Sequence, residues 1–365
     1  MSFTPPPYPY DRLAPIIAAA NQHDGGAIEC SIGTPCDPPP AVALDAFANA
    51  TTHRGYPMSF GSESFRSATS SWMKRRFGVD LTLDQVAACV GTKEFVASLA
   101  QYLHLRSPER DTILFPAISY PTYAMSAQLA QLRAVPVRME GGRLDLDSID
   151  PRDADRALVL WSNSPSNPTG QLDNLGAAAA WGRSHGVLVA SDECYAEFTW
   201  ASAPRSILQH GTDGVLAVHS ISKRSNLAGV RAGFYAGDEE IVGFLRSVRQ
   251  HAGLMVPGPV QEAVAAAYRD DTHVNLQRDI YRRRLELVRT GLVAAGIDTP
   301  MPEGTFYLWG RGAEGNGFAT AQMLAERSGL VVSPGELYGD AGAPYVRVAV
   351  VQPDELLQRA VDRLT

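Results

Sequence analysis

The sequence predicts an α/β protein with a large domain, built on a mainly parallel sheet between helices, and a smaller α+β domain after it. Two observations carry this. Through the middle of the chain, short runs that are apolar throughout alternate with longer amphipathic stretches, the pattern of strands buried on both faces and joined by crossover helices. Beyond about residue 238 the alternation stops, and a long charged helical stretch gives way to short, widely spaced strand-like runs. With 365 residues, 45% hydrophobic and 19% charged, the chain is long enough for one large core and a second, smaller one.

The opening segment is rich in proline and holds one helix-like stretch, 10–22, ahead of Pro38-Pro-Pro40. It lies outside the alternating region, so residues 1–45 are expected to pack with the smaller domain. Strands are expected at 86–90, 112–115, 157–161, 187–190, 215–218 and 232–236. Between them, 94–105, 122–132 and 175–185 space their apolar residues along one helical face and are long enough to cross back over a sheet. These elements make up a large domain, 46–245. The smaller domain, 246–365, is expected to hold helices at 259–268 and 272–295 and strands at 306–309, 330–333 and 345–350.

A net charge of -7 and the absence of a long Lys/Arg run exclude a nucleic-acid footprint. No stretch of about 18 apolar residues is present to cross a membrane, and the first residues lack the basic and apolar regions of a secretory leader, so a cytoplasmic location is expected. Cys30, Cys36, Cys89 and Cys194 are scattered and form no Cys-x-x-Cys pair. They read as reduced thiols, and neither a disulfide framework nor a metal site is indicated. Small molecules remain as the expected partners.

In open α/β sheets ligands collect beyond the carboxyl ends of the strands, so polar residues there are the first candidates. Gly91-Thr-Lys-Glu94 follows a strand and opens a helix. The Thr92 and Lys93 amides and the Thr92 hydroxyl can receive a phosphate, and Gly91 permits close approach, although such junctions also occur without a ligand. Tyr120, in Ser119-Tyr-Pro-Thr-Tyr123, can stack on a flat ring or serve only as packing. Asn167 precedes a proline in Asn163-Ser-Pro-Ser-Asn-Pro-Thr-Gly170, which holds it out of helix and frees its amide for a ligand, as an ordinary Asn-Pro turn also would. Asp192 closes a strand in Ser191-Asp-Glu-Cys-Tyr195, where an acid can cap the next helix or pair with a basic ring nitrogen.

The segment Ser220-Ile-Ser-Lys-Arg-Ser-Asn-Leu-Ala-Gly-Val-Arg231, with Gly233 after it, sets Lys223 between small hydroxyl residues and an arginine. A lysine amine can condense with an aldehyde, while Arg231, with Ser220 and Ser222, can grip a phosphate dianion. Alone, Lys223 also reads as a solvated surface lysine. Together with the strand-end residues it reads as the anchor of pyridoxal phosphate. In that reading Asp192 keeps the cofactor's ring nitrogen protonated, so that the ring withdraws the electrons left by a departing α-proton, and Tyr195 donates to the ring phenolate oxygen.

The set Gly91-Thr92-Lys93, Tyr120-Pro121, Asn167-Pro168-Thr169-Gly170, Asp192-x-x-Tyr195, Ser220-x-Ser222-Lys223 and Arg231-x-Gly233 resembles, in order and spacing, the fold-type I, class I/II pyridoxal-phosphate aminotransferases. The likeness runs nearly end to end, through Ile32-Gly-Thr-Pro35, Gly55-Tyr-Pro57, Gly304-Thr-Phe-Tyr-Leu-Trp309, Ser333-Pro-Gly335 and Tyr345-Val-Arg-Val-Ala349. The resemblance implies a transaminase in which Lys223 forms the Schiff base and moves the proton between substrate Cα and cofactor C4′. Asp192 is then expected at the ring nitrogen, Tyr195 and Asn167 at the phenolate oxygen, and Tyr120 on the ring. Thr92, Ser220, Ser222 and Arg231 are expected at the phosphate. Tyr56 would reach the phosphate of a neighbouring subunit, implying a homodimer with shared sites. Arg347, with Asn167 and the Gly33 backbone, would grip the substrate α-carboxylate, and glutamate and 2-oxoglutarate would close the cycle.

Within that family, Cys89-Val-Gly-Thr-Lys-Glu-Phe95, Ser162-Asn-Ser-Pro-Ser-Asn-Pro-Thr-Gly-Gln171, Val189-Ala-Ser-Asp-Glu-Cys-Tyr195, Val218-His-Ser-Ile-Ser-Lys223 and Arg249-Gln-His-Ala-Gly-Leu-Met-Val-Pro257 are similar to bacterial N-succinyldiaminopimelate aminotransferases. Those enzymes exchange the amino group of N-succinyl-LL-diaminopimelate with 2-oxoglutarate on the route to lysine and diaminopimelate. The chain departs from their pattern at Tyr8-Pro-Tyr-Asp-Arg-Leu13, at the substrate entrance, where Pro-Trp-Asp is common. Aspartate, aromatic amino acids and acetylornithine are the alternative donors. The same cofactor also serves β- or γ-elimination in carbon-sulfur lyases of this fold, and a non-catalytic regulator is disfavoured by the lack of a basic helix-turn-helix segment. Lys93 and Arg54 are candidates for the donor's distal end, or are solvated charges.

Overall fold

The computed structural model describes residues 3–365. Its central sheet has seven strands in the order Val86–Cys89, Gly233–Gly237, Val215–Ser220, Leu188–Asp192, Ala157–Asn163, Thr112–Pro116 and Arg133–Val137. All neighbours are parallel except Gly233–Gly237, which runs antiparallel to both of its partners. The six strands expected from sequence are those whose residues are buried throughout. The seventh, Arg133–Val137, lies at the edge, buries only Val137 and contains Pro136, so it lacks the uninterrupted apolar run that marks a central strand.

Alternation along each strand sends side chains to two layers. On one face, Val86 and Ala88 meet Phe65 and Trp72 of the helix Glu63–Phe77 and Val264 and Tyr268 of the helix Gly258–Arg269. On the other, Ala87 and Cys89 meet Phe95 and Leu99 of Thr92–Arg106, Tyr123 of Thr122–Leu129 and Leu245 of Glu239–His251. The helix Gly258–Arg269, which the sequence pattern grouped with the smaller domain, is thus part of the large core. The Tyr268 ring lies 4.9 Å from that of Trp72. Periodicity shows that a helix has an apolar face but not which core covers it.

The smaller core gathers Tyr281, Leu285, Val288 and Leu292 from the long helix Thr272–Ala294, together with the antiparallel strands Tyr307–Arg311, Tyr345–Ala349 and Ser333–Pro334. The opening segment contributes Leu13, Ile16 and Ala20, and Ile28–Glu29 pairs in parallel with Leu330–Val331. Farther on, the helix Ala41–Ala48 packs on Gly258–Arg269 instead, so the first part of the chain spans both cores.

Three strands extend past their apolar runs and keep polar residues in the ladder. Asn163 pairs with Asp192, and Asp192 with Val218, two residues before the strand's last residue, Ser220, which brings amide, carboxylate and hydroxyl groups to the carboxyl edge of the sheet. The site is built there.

Candidate active site

A cavity of about 280 Å³ opens at the carboxyl ends of these strands, closed on its far side by the smaller core. Ser220 ends its strand and turns the chain into the short helix Ile221–Arg224, its hydroxyl accepting the Ser222 amide at 3.1 Å. This turn brings Lys223 back over the strand ends, where its Nζ donates to the Gly33 carbonyl. Burial, then the charges of Arg347 and Arg231, pushes the lysine pKa down to about 8. The amine therefore loses its proton far more readily than an exposed lysine.

Asp192 is buried and accepts the Tyr123 hydroxyl at 2.9 Å and the Cys194 amide at 3.2 Å. Burial raises its pKa, against the pull of these hydrogen bonds and of His219. Such an acid ionises fully when a cationic donor stands opposite it. Asn163 donates to the Asp192 carbonyl at 2.8 Å and accepts the Asn167 amide at 2.7 Å, tying the two strand ends together.

At the other end of the cavity, Thr92 opens its helix after Gly91, whose φ is +78°. The backbone conformation favours glycine there, and a Cβ would displace the Arg231 guanidinium from where it lies. Arg231 itself adopts the left-handed conformation, φ +53°, in the turn before Gly233–Gly237.

Arg347 lies in the middle strand of the smaller sheet, paired with Trp309 on one side and Ser333 on the other. It is 2% exposed, and its partners are the Asn167 amide oxygen at 2.7 Å and the Ser31 carbonyl, both neutral. The guanidinium carbon lies 4.1 Å from the Tyr307 ring centre and 4.8 Å from that of Tyr338. Its Nε has no hydrogen-bond partner among the described residues. A buried guanidinium with no anion beside it among the described residues can take up a carboxylate. Tyr195 hydrogen-bonds the Tyr307 hydroxyl at 2.8 Å, and burial raises its pKa well above the usual phenol range.

Gly33, Thr92, Lys93, Tyr120, Asn167, Asp192, Tyr195, Ser220, Ser222, Lys223, Arg231 and Arg347, all named from sequence, line this one cavity. Gly91 stands behind Arg231. Tyr56 does not line it and is 98% exposed; Arg54 is likewise exposed and outside. Tyr8 and Tyr10, from the segment placed at the substrate entrance, and Ile32 also line it, as do residues given no role from sequence, Asn163, Cys194 and Tyr307 among them. Asn163 could have been found as a strand-end amide and Tyr307 within its Gly-Thr-Phe-Tyr segment. Cys194 gave no signal.

The family model described as aminotransferase class I and II matches residues 27–364. The chain belongs to that family. This aminotransferase is therefore a pyridoxal-phosphate-dependent transaminase with the fold-type I architecture. It is 41% identical to the 4-dedimethylamino-4-oxo-anhydrotetracycline transaminase OxyQ of Streptomyces rimosus, over 99% of each chain. It is 32% identical to the LL-diaminopimelate aminotransferase of Aquifex aeolicus, over 98% of this chain and 96% of that one. A solved structure of a probable N-succinyldiaminopimelate aminotransferase from Thermus thermophilus is 29% identical and superposes with a TM-score of 0.87, covering 98% of this aminotransferase and 99% of that chain. The donor set of the cavity fits the cofactor. It offers a lysine with a lowered pKa, a buried acid with no Lys or Arg partner among the described residues, and an arginine whose guanidinium packs against Gly91.

Proposed function

We propose that this aminotransferase moves the amino group of an α-amino acid to 2-oxoglutarate, with N-succinyl-LL-diaminopimelate as its donor. The observation that carries the reading is that, of the four cationic side chains lining the cavity, two remain, Arg347 and Lys93, once Lys223 and Arg231 are given to the cofactor. Arg347 is buried and lacks an anion, while Lys93 is exposed, its Nζ 5.3 Å from the Tyr8 ring centre. Two cations suit acids with a second carboxylate, as both 2-oxoglutarate and the succinylated donor are. The likeness to the Thermus protein supports the same donor.

Pyridoxal phosphate, when bound, supplies an aldehyde for the lysine and a ring that takes up electrons from the broken Cα–H bond. Thr92, Ser220, Ser222 and Arg231, with the Gly91-Thr92-Lys93 backbone, would hold its phosphate. Tyr120 would stack on its ring, Asp192 would meet the ring nitrogen, and Tyr195 and Asn167 the phenolate oxygen. Arg347, Asn167 and the Gly33 backbone would clamp the α-carboxylate, fixing the Cα–H bond toward Lys223. Lys223, whose pKa is lowered to about 8, would take the proton from the substrate Cα and return it at the cofactor's C4′.

A homodimer with shared sites belongs to the same proposal. Val42, Leu44, Phe47, Tyr56 and Met58 are all exposed within one short stretch of chain, an apolar surface that suits a partner, and Tyr56 would reach the partner's phosphate site. A cytoplasmic location is proposed with it; no helix among the described residues is long and apolar enough to cross a membrane.

A second reading, a substrate with a flat ring system, is favoured by Tyr8 and Tyr10, which line the cavity with ring centres 5.7 Å apart, and by the anhydrotetracycline in the OxyQ name. One panel decides. The protein loaded with pyridoxal phosphate is offered 2-oxoglutarate with N-succinyl-LL-diaminopimelate, LL-diaminopimelate, acetylornithine, aspartate or aromatic amino acids, and glutamate formation is followed. The proposal expects the succinylated donor to lead. Transfer from aromatic donors alone would replace it with the second reading, and ammonia release without a keto-acid acceptor would make the protein a lyase and remove both.

A further inference from the structure

We propose that Tyr307 is a positioning residue that couples the carboxylate end of the cavity to the acid–base setting of the cofactor, acting through the Tyr195 hydroxyl. The inference rests on the proposed places of Tyr195 at the phenolate oxygen and Arg347 at the substrate carboxylate.

Tyr307 is 2% exposed and belongs to the strand beside Arg347, so its ring is fixed by the smaller core. Its neighbours come from three other parts of the chain. The Tyr195 hydroxyl, beyond a strand of the large sheet, is 2.8 Å from its own hydroxyl. The Arg347 guanidinium carbon stands 4.1 Å from its ring centre. A side chain at Gly33 would collide with the Tyr307 hydroxyl, so the glycine that accepts Lys223 at its carbonyl also makes room for this phenol. The titratable and charged groups facing it are Tyr195, Arg347, Tyr10, Cys194 and Tyr281, with Lys223 one contact away on Gly33.

Two phenols share one hydrogen bond, so only one proton can lie between them. Burial raises both pKa values, and both keep their protons across the physiological range. When the Tyr307 proton lies between the oxygens, the Tyr195 proton is free to point into the cavity. Donation into the Tyr195 oxygen also strengthens its outgoing hydrogen bond. Arg347, lying over the Tyr307 ring, biases the same pair electrostatically, so a carboxylate bound to that arginine alters how firmly Tyr195 donates. A donor at the ring phenolate competes with the proton held on the neighbouring lysine nitrogen. Weakening that donor therefore raises the pH at which the nitrogen loses its proton.

The experiment is a pH titration of the visible absorbance of the protein loaded with pyridoxal phosphate. Wild type is compared with Tyr307→Phe, Tyr195→Phe and the double variant. The midpoint of Tyr307→Phe is expected to rise, by less than that of Tyr195→Phe. The double variant should match Tyr195→Phe alone, because Tyr307 acts only through Tyr195. A wild-type midpoint in Tyr307→Phe, or an additive shift in the double variant, overturns the inference and leaves the cofactor site standing. A wild-type protein with no titrating band overturns the cofactor reading and the inference with it.

Discussion

At the floor of the cavity, Asn163, Asp192 and Ser220 are the last residues of three adjacent parallel strands, whereas at the rim Tyr8 lies in irregular chain and Lys93 extends from a helix start into solvent. Floor positions follow from the ladder, where a one-residue shift would turn every side chain to the other face. Rim positions follow from rotamers of long, exposed side chains. In the proposed reading the floor holds the groups that do the chemistry and the rim meets the part of the substrate that varies; the relatives are named for different substrates, an anhydrotetracycline and LL-diaminopimelate.

Substitutions test that contrast. Lys223→Ala should lower transamination by about 10³-fold or more and leave no pyridoxal phosphate attached to the chain after borohydride reduction. Attachment at another lysine would show that the floor is not as determinate as its register suggests. For Arg347→Ala the expected loss in kcat/KM for amino donors is about 100-fold or more, with cofactor affinity changed only a few-fold, as measured by steady-state kinetics and cofactor titration. Comparable loss of both would mean that Arg347 supports the floor instead of the substrate.

The pH dependence of cofactor capture is the next largest effect. The Lys223 pKa is lowered to about 8, so the neutral amine that attacks the aldehyde predominates above about pH 8 and declines below it. Stopped-flow capture of pyridoxal phosphate by the cofactor-free protein should quicken about tenfold per unit up to that point and then level off. A rise continuing toward pH 10 would return Lys223 to an ordinary exposed lysine. At the rim, Lys93→Ala should raise the KM for 2-oxoglutarate only about two- to fivefold, the scale of an exposed ion pair, and leave the KM for pyruvate alone. A hundredfold loss there would erase the distinction between rim and floor.

Legibility in the sequence follows the same division. Central strands announce themselves as unbroken apolar runs, and residues just after them land at the carboxyl edge by topology, so Asp192 and Lys223 are legible in the sequence. The edge strand Arg133–Val137 was hidden because one side of an edge needs no apolar residues. Contacts across the lobes were hidden for another reason. That Tyr307 meets Tyr195, or that Gly258–Arg269 belongs with Trp72, depends on packing between segments many residues apart, which periodicity does not encode. Arg347 was reached only through its family resemblance, since an arginine in a short strand has no local mark.

Tyr195 and Phe198 follow a strand of the large sheet, yet they are buried with Tyr281, Phe306 and Tyr307. Phe198 lies edge-on to Tyr281 at 5.1 Å, and Tyr195 edge-on to Phe306 at 5.5 Å. The carboxyl-terminal quarter of this chain, from residue 272 onward, is consequently not an interchangeable module. A chimaera that takes residues from 272 onward from a relative, to import a new substrate preference, would seat foreign helices against two resident aromatic rings and the resident Ile28–Glu29 strand. Recombination that respects the protein's real seams must carry 195–198 and the first thirty residues along with the transplanted end.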